Sequence, residues 1–90
     1  MRNPISGGQF KRDARLAVKR GKDMEKLRSL VLLLVKGGPI PANYKDHPLR
    51  GEWQSFRNCH IEPDWMLIYK IDENDLHLVR TGTHADIFGK

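Results

Sequence analysis

The chain predicts a single α+β domain over residues 1–90, with an N-terminal two-helix hairpin packed on an antiparallel sheet of three to five strands and a short C-terminal helix. Three observations carry this reading. Apolar residues up to Val35 recur every three or four positions, the helical period. From Gln54 to Arg80 the pattern changes to short apolar runs broken by turn residues, as in a β-meander. Ninety residues also allow one core only, and a domain of this size buries about 60 to 65% of its unfolded surface.

The elements follow in order. Asn3-Pro4-Ile5-Ser6 reads as a short edge strand, where proline is tolerated. A helix begins near Ser6 or Gly7. Phe10, Ala14 and Ala17 share one of its faces, and Gly21 ends it. Asp23 suits the N-cap of a second helix. Met24, Leu27, Val31 and Leu34 form its apolar stripe. Leu30, Leu32, Leu33 and Val35 widen that stripe, so burial on more than one side is expected. Lys36-Gly37-Gly38-Pro39 stops the helix. Residues 37–48 read as a loop with Pro39, Pro41 and Pro48. A tight connection, Leu49–Trp53, then leads into a strand from Gln54 to His60. Glu62-Pro63-Asp64 is a turn. Trp65–Ile71 has apolar residues on both faces and reads as a central strand. Asp72-Glu73-Asn74-Asp75 closes a hairpin, Leu76–Arg80 returns antiparallel, and a last helix runs from His84 to Phe88.

The net charge of +5 is unevenly spread. Residues 1–50 carry 12 Lys and Arg against 4 Asp and Glu, or +8; residues 51–90 carry 4 against 7, or −3. A basic half of this kind suits a polyanion, with nucleic acid the commonest, although a solvated helix surface or an acidic protein partner fits the same charge. The single cysteine, Cys59, excludes an internal disulfide and fits a reducing cytoplasm. The first eight residues lack an apolar segment, so no signal peptide is expected. The longest apolar run, Leu30–Val35, is far below the roughly 20 residues of a membrane span.

The second half holds the candidate chemistry. His47-Pro48-Leu49, His60-Ile61-Glu62-Pro63-Asp64-Trp65 and Arg80-Thr81-Gly82-Thr83-His84 are followed by Phe88. These residue types take a proton, give a proton, hold an anion and stack on a base. RNA cleavage without a metal needs all four abilities. Each motif also has a plainer reading. Asp64, four residues from His60, can orient its imidazole or cap backbone amides in a turn. Arg80 and His84 can meet across Gly82, or be a surface arginine and a helix-capping histidine. His47, held extended by Pro48, can be an exposed loop residue. His77 alternates with Leu76 and Leu78 and reads as an ordinary strand residue. No C-x-x-C or H-E-x-x-H motif is present, so no metal site is expected. Nothing marks Cys59 as an activated thiolate, and no phosphate-binding glycine loop implies a nucleotide cofactor. No cofactor is expected.

Together these motifs resemble the YafQ family of bacterial toxins within the RelE superfamily. The resemblance lies in Tyr44-Lys45-Asp46-His47-Pro48-Leu49, Gly51-Glu52-Trp53, His60–Trp65, Leu67-Ile68-Tyr69-Lys70, Arg80–His84 and Phe88-Gly89, with Lys19-Arg20 and Lys22-Asp23-Met24 in the hairpin. It spans nearly the whole chain and favours the functional reading of His47, His60, Asp64, Arg80 and His84. It implies a RelE-like fold and a cytoplasmic, ribosome-dependent mRNA endonuclease neutralised by a cognate antitoxin. The family's catalytic positions fall on His47, His60, Asp64 and His84, with Arg80, Trp65 and Phe88 nearby. The short N-terminus departs from the family pattern and puts the first strand in question.

The residues suit the chemistry that the resemblance implies. RNA supplies its own 2′-hydroxyl nucleophile, and each acid or base role contributes about 10² to 10⁴ in rate. His84 is expected as general acid, Asp64 with His60 on the base side, His47 assisting, and Arg80 on the phosphate. Trp65 and Phe88 are expected to stack on or position the mRNA, unless Trp65 is core. Lys11, Arg12, Arg15, Lys19, Arg20, Lys22 and Lys26 are expected to face RNA of the 70S ribosome. The toxin–antitoxin complex is expected on operator DNA, and no membrane partner is expected. The competing reading is a toxin-fold inhibitor of a protein target, as ParE-like relatives are of DNA gyrase. Such an inhibitor needs no His/Asp/Arg cluster.

Overall fold

The protein is described by a computed structural model covering residues 1–89. In order these are β1 (Asn3–Ser6), α1 (Gly8–Lys19), α2 (Met24–Lys36), β2 (His47–Pro48), β3 (Arg57–Glu62), β4 (Trp65–Asp72), β5 (Asp75–Gly82) and α3 (His84–Phe88). Short 3₁₀ turns fall at Ala42–Tyr44 and Gly51–Trp53. One sheet of five strands has the order β1-β5-β4-β3-β2. The α+β architecture, the two leading helices and the closing helix match the reading of the sequence.

Phe10, Asp13 and Ala17, three and four residues apart, form the buried stripe of α1. Gly21 leaves the helix at φ 77°, a conformation that costs glycine little. The Asp23 carboxylate accepts from the Glu25 amide at 3.1 Å and starts α2. Leu27, Leu30, Leu34 and Val35 are buried along α2. Leu32 is 47% exposed, which corrects the expectation of burial on more than one side: the sheet lies under only one side of the helix.

The antiparallel expectation holds for β2 to β5 and fails at β1, which runs parallel to β5 from Asn3↔Asp75 to Ser6↔Leu78. The direction follows from connectivity, because the end of β1 must deliver the chain to α1, which packs on β5. The short first strand, in question from the sequence, is therefore present. Two further boundaries move. The 3₁₀ turn at Gly51–Trp53 and Ser55, at φ 84°, consume the residues expected to open the next strand, so β3 starts at Arg57. The expected loop 37–48 contains a 3₁₀ turn and the edge strand β2, paired at His47↔Asn58 and Pro48↔Arg57.

β4 is the middle strand, and Trp65–Tyr69 are all buried. Alternation sends Trp65, Leu67 and Tyr69 to the helix-covered face. There they join Phe10, Leu27, Leu30, Leu34, Cys59, Leu76 and Leu78 in the main core. Met66 and Ile68 turn to the other face and join Ile87 of α3, with Leu49, Trp53, Phe56, Val79 and Phe88 around them. A register shift between β4 and β5 at Ile68/Tyr69 lets Leu78 and Thr81 both meet the helix side, although they lie three residues apart. Among the described residues no helix is long and apolar enough to cross a membrane.

Candidate active site

On the face opposite α1 and α2, separate elements bring three histidines into one row. The His47 ring from β2 stacks on the His60 ring from β3, centroids 6.0 Å apart. His60 lies 6.1 Å from the His84 ring at the start of α3. The row continues through Phe88, 6.1 Å from His84, to Trp53, 5.8 Å from Phe88, and Phe56, 5.6 Å from Trp53. His47 and His84 are exposed and His60 is half-buried.

Each histidine turns Nδ1 toward an acceptor of its own. His47 Nδ1 lies 2.6 Å from the Lys45 carbonyl oxygen, which the left-handed Lys45 backbone (φ 50°) presents to it. A carbonyl only accepts, so the proton is on Nδ1. His60 Nδ1 faces the Pro63 carbonyl oxygen at 3.4 Å. His84 Nδ1 donates to Asp64 Oδ1 at 3.0 Å. Among the described residues no Nε2 of the three has a hydrogen-bond partner. The second nitrogen of each ring is thus left for a ligand, since the bond at one nitrogen fixes the tautomer at the other.

Asp64 corrects one expectation. Its partner is His84, not His60, because β3 and β4 carry the Glu62–Trp65 turn under the start of α3. Asp64 Oδ1 also accepts the His84 backbone N–H at 3.0 Å. That backbone bond, followed by the one from the ring, holds the Asp64 carboxyl below the usual carboxylate range.

Arg80 does not stand open beside these rings. Its Nε donates to Asp13 Oδ2 at 2.7 Å, and its Nη2 to Asp13 Oδ1 at 3.4 Å and to the Asp86 carbonyl oxygen at 3.2 Å. The guanidinium is tied between α1 and α3, and among the described residues only Nη1 lacks a partner. Asp13 is buried and also accepts the Thr81 backbone N–H at 3.1 Å.

Trp65 is 1% exposed, so the stacking role expected for it is corrected. Its position on the helix side of β4 places the ring in the main core, and its indole N–H donates to Thr81 Oγ1 at 3.0 Å. The aromatic residues beside the histidines are Phe88, Trp53 and Phe56. The last two were not expected in the site, although Trp53 lies in the Gly51-Glu52-Trp53 motif and strand alternation puts Phe56 on the face of His60. Asp13 was missed as well, and its signal was clearer: it is the only acid in α1, amid Lys11, Arg12 and Arg15.

Behind His47, Asp46 accepts from Arg57 Nε at 3.2 Å and Nη2 at 3.3 Å and from the Tyr69 hydroxyl at 2.6 Å. This anchors the two-residue strand β2. Burial pushes the Tyr69 hydroxyl up, and the Asp46 carboxylate adds to the shift. A recess of about 210 Å³ opens beside His60, lined by Asn43, Lys45, Ile61, Glu62 and Pro63. Among the described residues no three His, Cys, Asp or Glu side chains are grouped as metal ligands.

The basic residues divide into two sets. Lys11, Arg12, Arg15 and Lys19 are exposed on α1. Arg20 pairs with Asp86 at 2.6 Å, and Lys22 and Lys26 converge on Glu62 at 3.3 and 2.9 Å. Those lysines, Lys26 first, hold the Glu62 carboxyl below its usual range.

Two helices on one face of this sheet, with a short helix and a row of histidines on the other, define a small α+β domain of RelE-like architecture. A profile described as "Bacterial toxin of type II toxin-antitoxin system, YafQ" matches residues 3–89. The chain is 54% identical over 83 residues to the mRNA interferase toxin YafQ of Escherichia coli K12, covering 91% of this chain and 90% of that relative. The crystal structure of YafQ from E. coli BL21(DE3) aligns with a TM-score of 0.94 at 50% identity, over 99% of this chain and 100% of that one. A chain of the E. coli DinJ–YafQ complex aligns at 0.92 and 51% identity, with the same coverage. The chain belongs to the YafQ family of bacterial toxins from type II toxin–antitoxin systems.

Proposed function

We propose that this toxin is a ribosome-dependent mRNA endonuclease that needs no metal and is restrained by a cognate antitoxin. The observation that carries the reading is the row of three rings, each tied at Nδ1 and open at Nε2. The E. coli K12 relative is an mRNA interferase toxin, and E. coli YafQ was crystallised in a DinJ–YafQ toxin–antitoxin complex, which supports the substrate and the partner.

In this mechanism His60 Nε2, with His47 stacked beside it, removes the proton of the 2′-hydroxyl. The 2′-oxygen attacks phosphorus and the bond to the 5′-oxygen breaks. His84 Nε2 gives its proton to that oxygen. The products are a 2′,3′-cyclic phosphate and a 5′-hydroxyl end. Asp64 accepts from His84 Nδ1 and so fixes the ring, with Nε2 left for the 5′-oxygen. Arg80, fixed on Nε and Nη2, offers Nη1 and its charge to the phosphorane. Phe88 and Trp53 supply aromatic faces for a base, a contact worth about 1 to 3 kcal/mol. Lys11, Arg12, Arg15 and Lys19 meet ribosomal RNA, so binding weakens steeply with salt.

Primer extension on an mRNA translated in a purified bacterial system tests this, with the wild type and His84→Ala. Discrete in-frame cuts that require ribosomes and disappear in the variant are expected. Growth arrest by both proteins without cleavage would replace this reading with inhibition of a protein target.

A further inference from the structure

α3 carries His84 and is only five residues long. A helix that short does not hold itself in water, so contacts from elsewhere fix its position. Ile87 supplies one, packing on Met66 and Ile68. Asp64 and Trp53 supply others, on His84 and Phe88, and a third group converges on Asp86. Its carboxylate accepts from Arg20 Nη1 at 2.6 Å and Nη2 at 3.1 Å. It also accepts the Thr83 N–H at 3.0 Å, while Thr83 Oγ1 accepts the Asp86 N–H at 3.1 Å, a reciprocal capping box. Its backbone carbonyl takes the bond from Arg80, which Asp13 holds.

Asp13 lies in α1 and Arg20, seven residues on, caps its C-terminal end, about two turns further along the same side. One end of that side grips the Asp86 carbonyl through Arg80, and the other grips the carboxylate. Gly82 makes room for this: a Cβ there would meet Asp86 Oδ2 at 2.9 Å and its Cβ at 3.0 Å. Arg20, read from the sequence as a ribosome contact, thus spends its planar fork inside the molecule.

We propose that Arg20 is a positioning residue: with Asp13 and Arg80 it clamps Asp86 and so holds α3, and with it His84, against Asp64. The proposal rests on the cleavage role given to His84. A geometric error of about 1 Å at a reacting group costs up to roughly a hundredfold in rate, so a residue that touches no RNA can govern cleavage.

The test compares Arg20→Ala, Arg20→Lys, Asp86→Asn and the Arg20→Ala/Asp86→Asn double variant. Single-turnover cleavage of ribosome-bound mRNA at saturating toxin is measured separately from affinity for the ribosome. Arg20→Lys keeps the charge and loses the fork. The clamp predicts that both Arg20 variants lower the saturated rate by about ten- to a hundredfold with affinity kept, and that the double variant is no slower than Asp86→Asn alone. It also predicts that the Asp64 carboxyl, followed by carbon NMR, titrates nearer the ordinary range as its bonds from His84 loosen. A wild-type rate for Arg20→Lys, lost affinity for Arg20→Ala and an unmoved Asp64 would overturn the clamp in favour of an RNA contact. Arg20 is partly exposed and its removal leaves both cores intact, so an Asp86→Asn protein that fails to fold does not stall the comparison. If the wild type cuts no RNA, the function proposed above fails. The Asp64 titration and amide protection in α3 then still decide the clamp.

Discussion

The two faces of the sheet hold together by different means. Under α1 and α2, Leu30, Leu34, Trp65, Leu67, Tyr69 and Leu76 are almost wholly removed from water. On the opposite face Met66, Ile68 and Ile87 are the buried apolar residues, and the half-buried Phe56, Trp53 and Phe88 grade into the histidine row. α3 on that face is held in addition by directed bonds that reach round to α1: Arg20 and Thr83 on Asp86, Arg80 on Asp13 and on the Asp86 carbonyl, with Asp64 on His84. The helix face carries the stability of the domain. The other fixes a geometry while leaving the histidine row open to solvent.

The largest expected effect separates these roles with a pair of substitutions. His84→Ala removes an exposed ring and lowers cleavage by about 10² to 10⁴. It loses the ring's bond to Asp64 and keeps the backbone one, so stability falls by no more than about 1 kcal/mol. Leu30→Ala empties a fully buried site and destabilises by about 2 to 5 kcal/mol, while each molecule that remains folded cuts at the wild-type rate. Cleavage rates set beside urea midpoints read both. A Leu30→Ala protein that is folded but inactive would dissolve the division between the faces.

The next pair uses the two aromatic residues that the sequence offered as mRNA contacts, with core as the alternative for Trp65. Trp65→Phe loses the bond to Thr81 Oγ1 and costs about 1 to 3 kcal/mol of stability, with RNA affinity unchanged. Phe88→Ala weakens mRNA binding by about 1 to 3 kcal/mol through the lost stack. Affinity measured at fixed salt decides, and weakened binding by Trp65→Phe would put its ring back at the RNA.

These contrasts also show why parts of the molecule were legible in the sequence. The helices, the β-meander, the Asp23 cap and the helix His84–Phe88 are local, written in spacing and in turn residues over a few positions. The direction of β1 was not legible, because it depends on where α1 must go. The partner of Asp64 was not legible either. His60 is four residues away in the chain and His84 is twenty, and only the β3–β4 turn brings the latter near. Alternation along β4 fixed that Trp65 and Met66 face opposite ways, but not which face bore the site. Among the site residues, the motifs named the three histidines, Asp64 and Phe88. The partners that hold them, Asp13, Asp46 and Asp86, had no role assigned from the sequence, because their partners lie far away along the chain.

Acid sharpens the comparison further, with a smaller effect. The Arg20 guanidinium, then the Thr83 amide, hold the Asp86 carboxyl well below the usual carboxylate range. Asp64 and Glu62 are also held low, by His84 and by Lys26 with Lys22. A carboxyl depressed by folding contributes stability that is fully present above its unfolded value, about 3.9 to 4.3, and is lost as pH falls through its folded value. The wild type should therefore lose stability steadily below about pH 4. Asp86→Asn should start lower and fall less steeply over the same interval. Parallel curves of urea midpoint against pH would mean that Asp86 contributes nothing to acid sensitivity.

The smallest expected effect falls on Cys59, which lies in the main core on the helix side of β3. Burial pushes its thiol up to about 12, and the Asp46 carboxylate nearby adds to this. The thiolate is the reactive form, so at pH 8 iodoacetamide should leave the folded protein unlabelled except through transient opening. Diethyl pyrocarbonate modifies imidazole rings, and each ring of the row leaves its Nε2 without a partner among the described residues. The same sample should therefore lose cleavage activity to the histidine reagent and keep it through the thiol reagent. Denaturant should make Cys59 reactive in step with global unfolding, since a core residue opens only with the core. Labelling of Cys59 at denaturant levels that leave α1 and α2 intact would show that β3 separates from the sheet on its own. His60 would then stand on a mobile strand, and the face with the chemistry would be loose where the bonds on Asp64, Asp86 and Asp46 indicate that it is held.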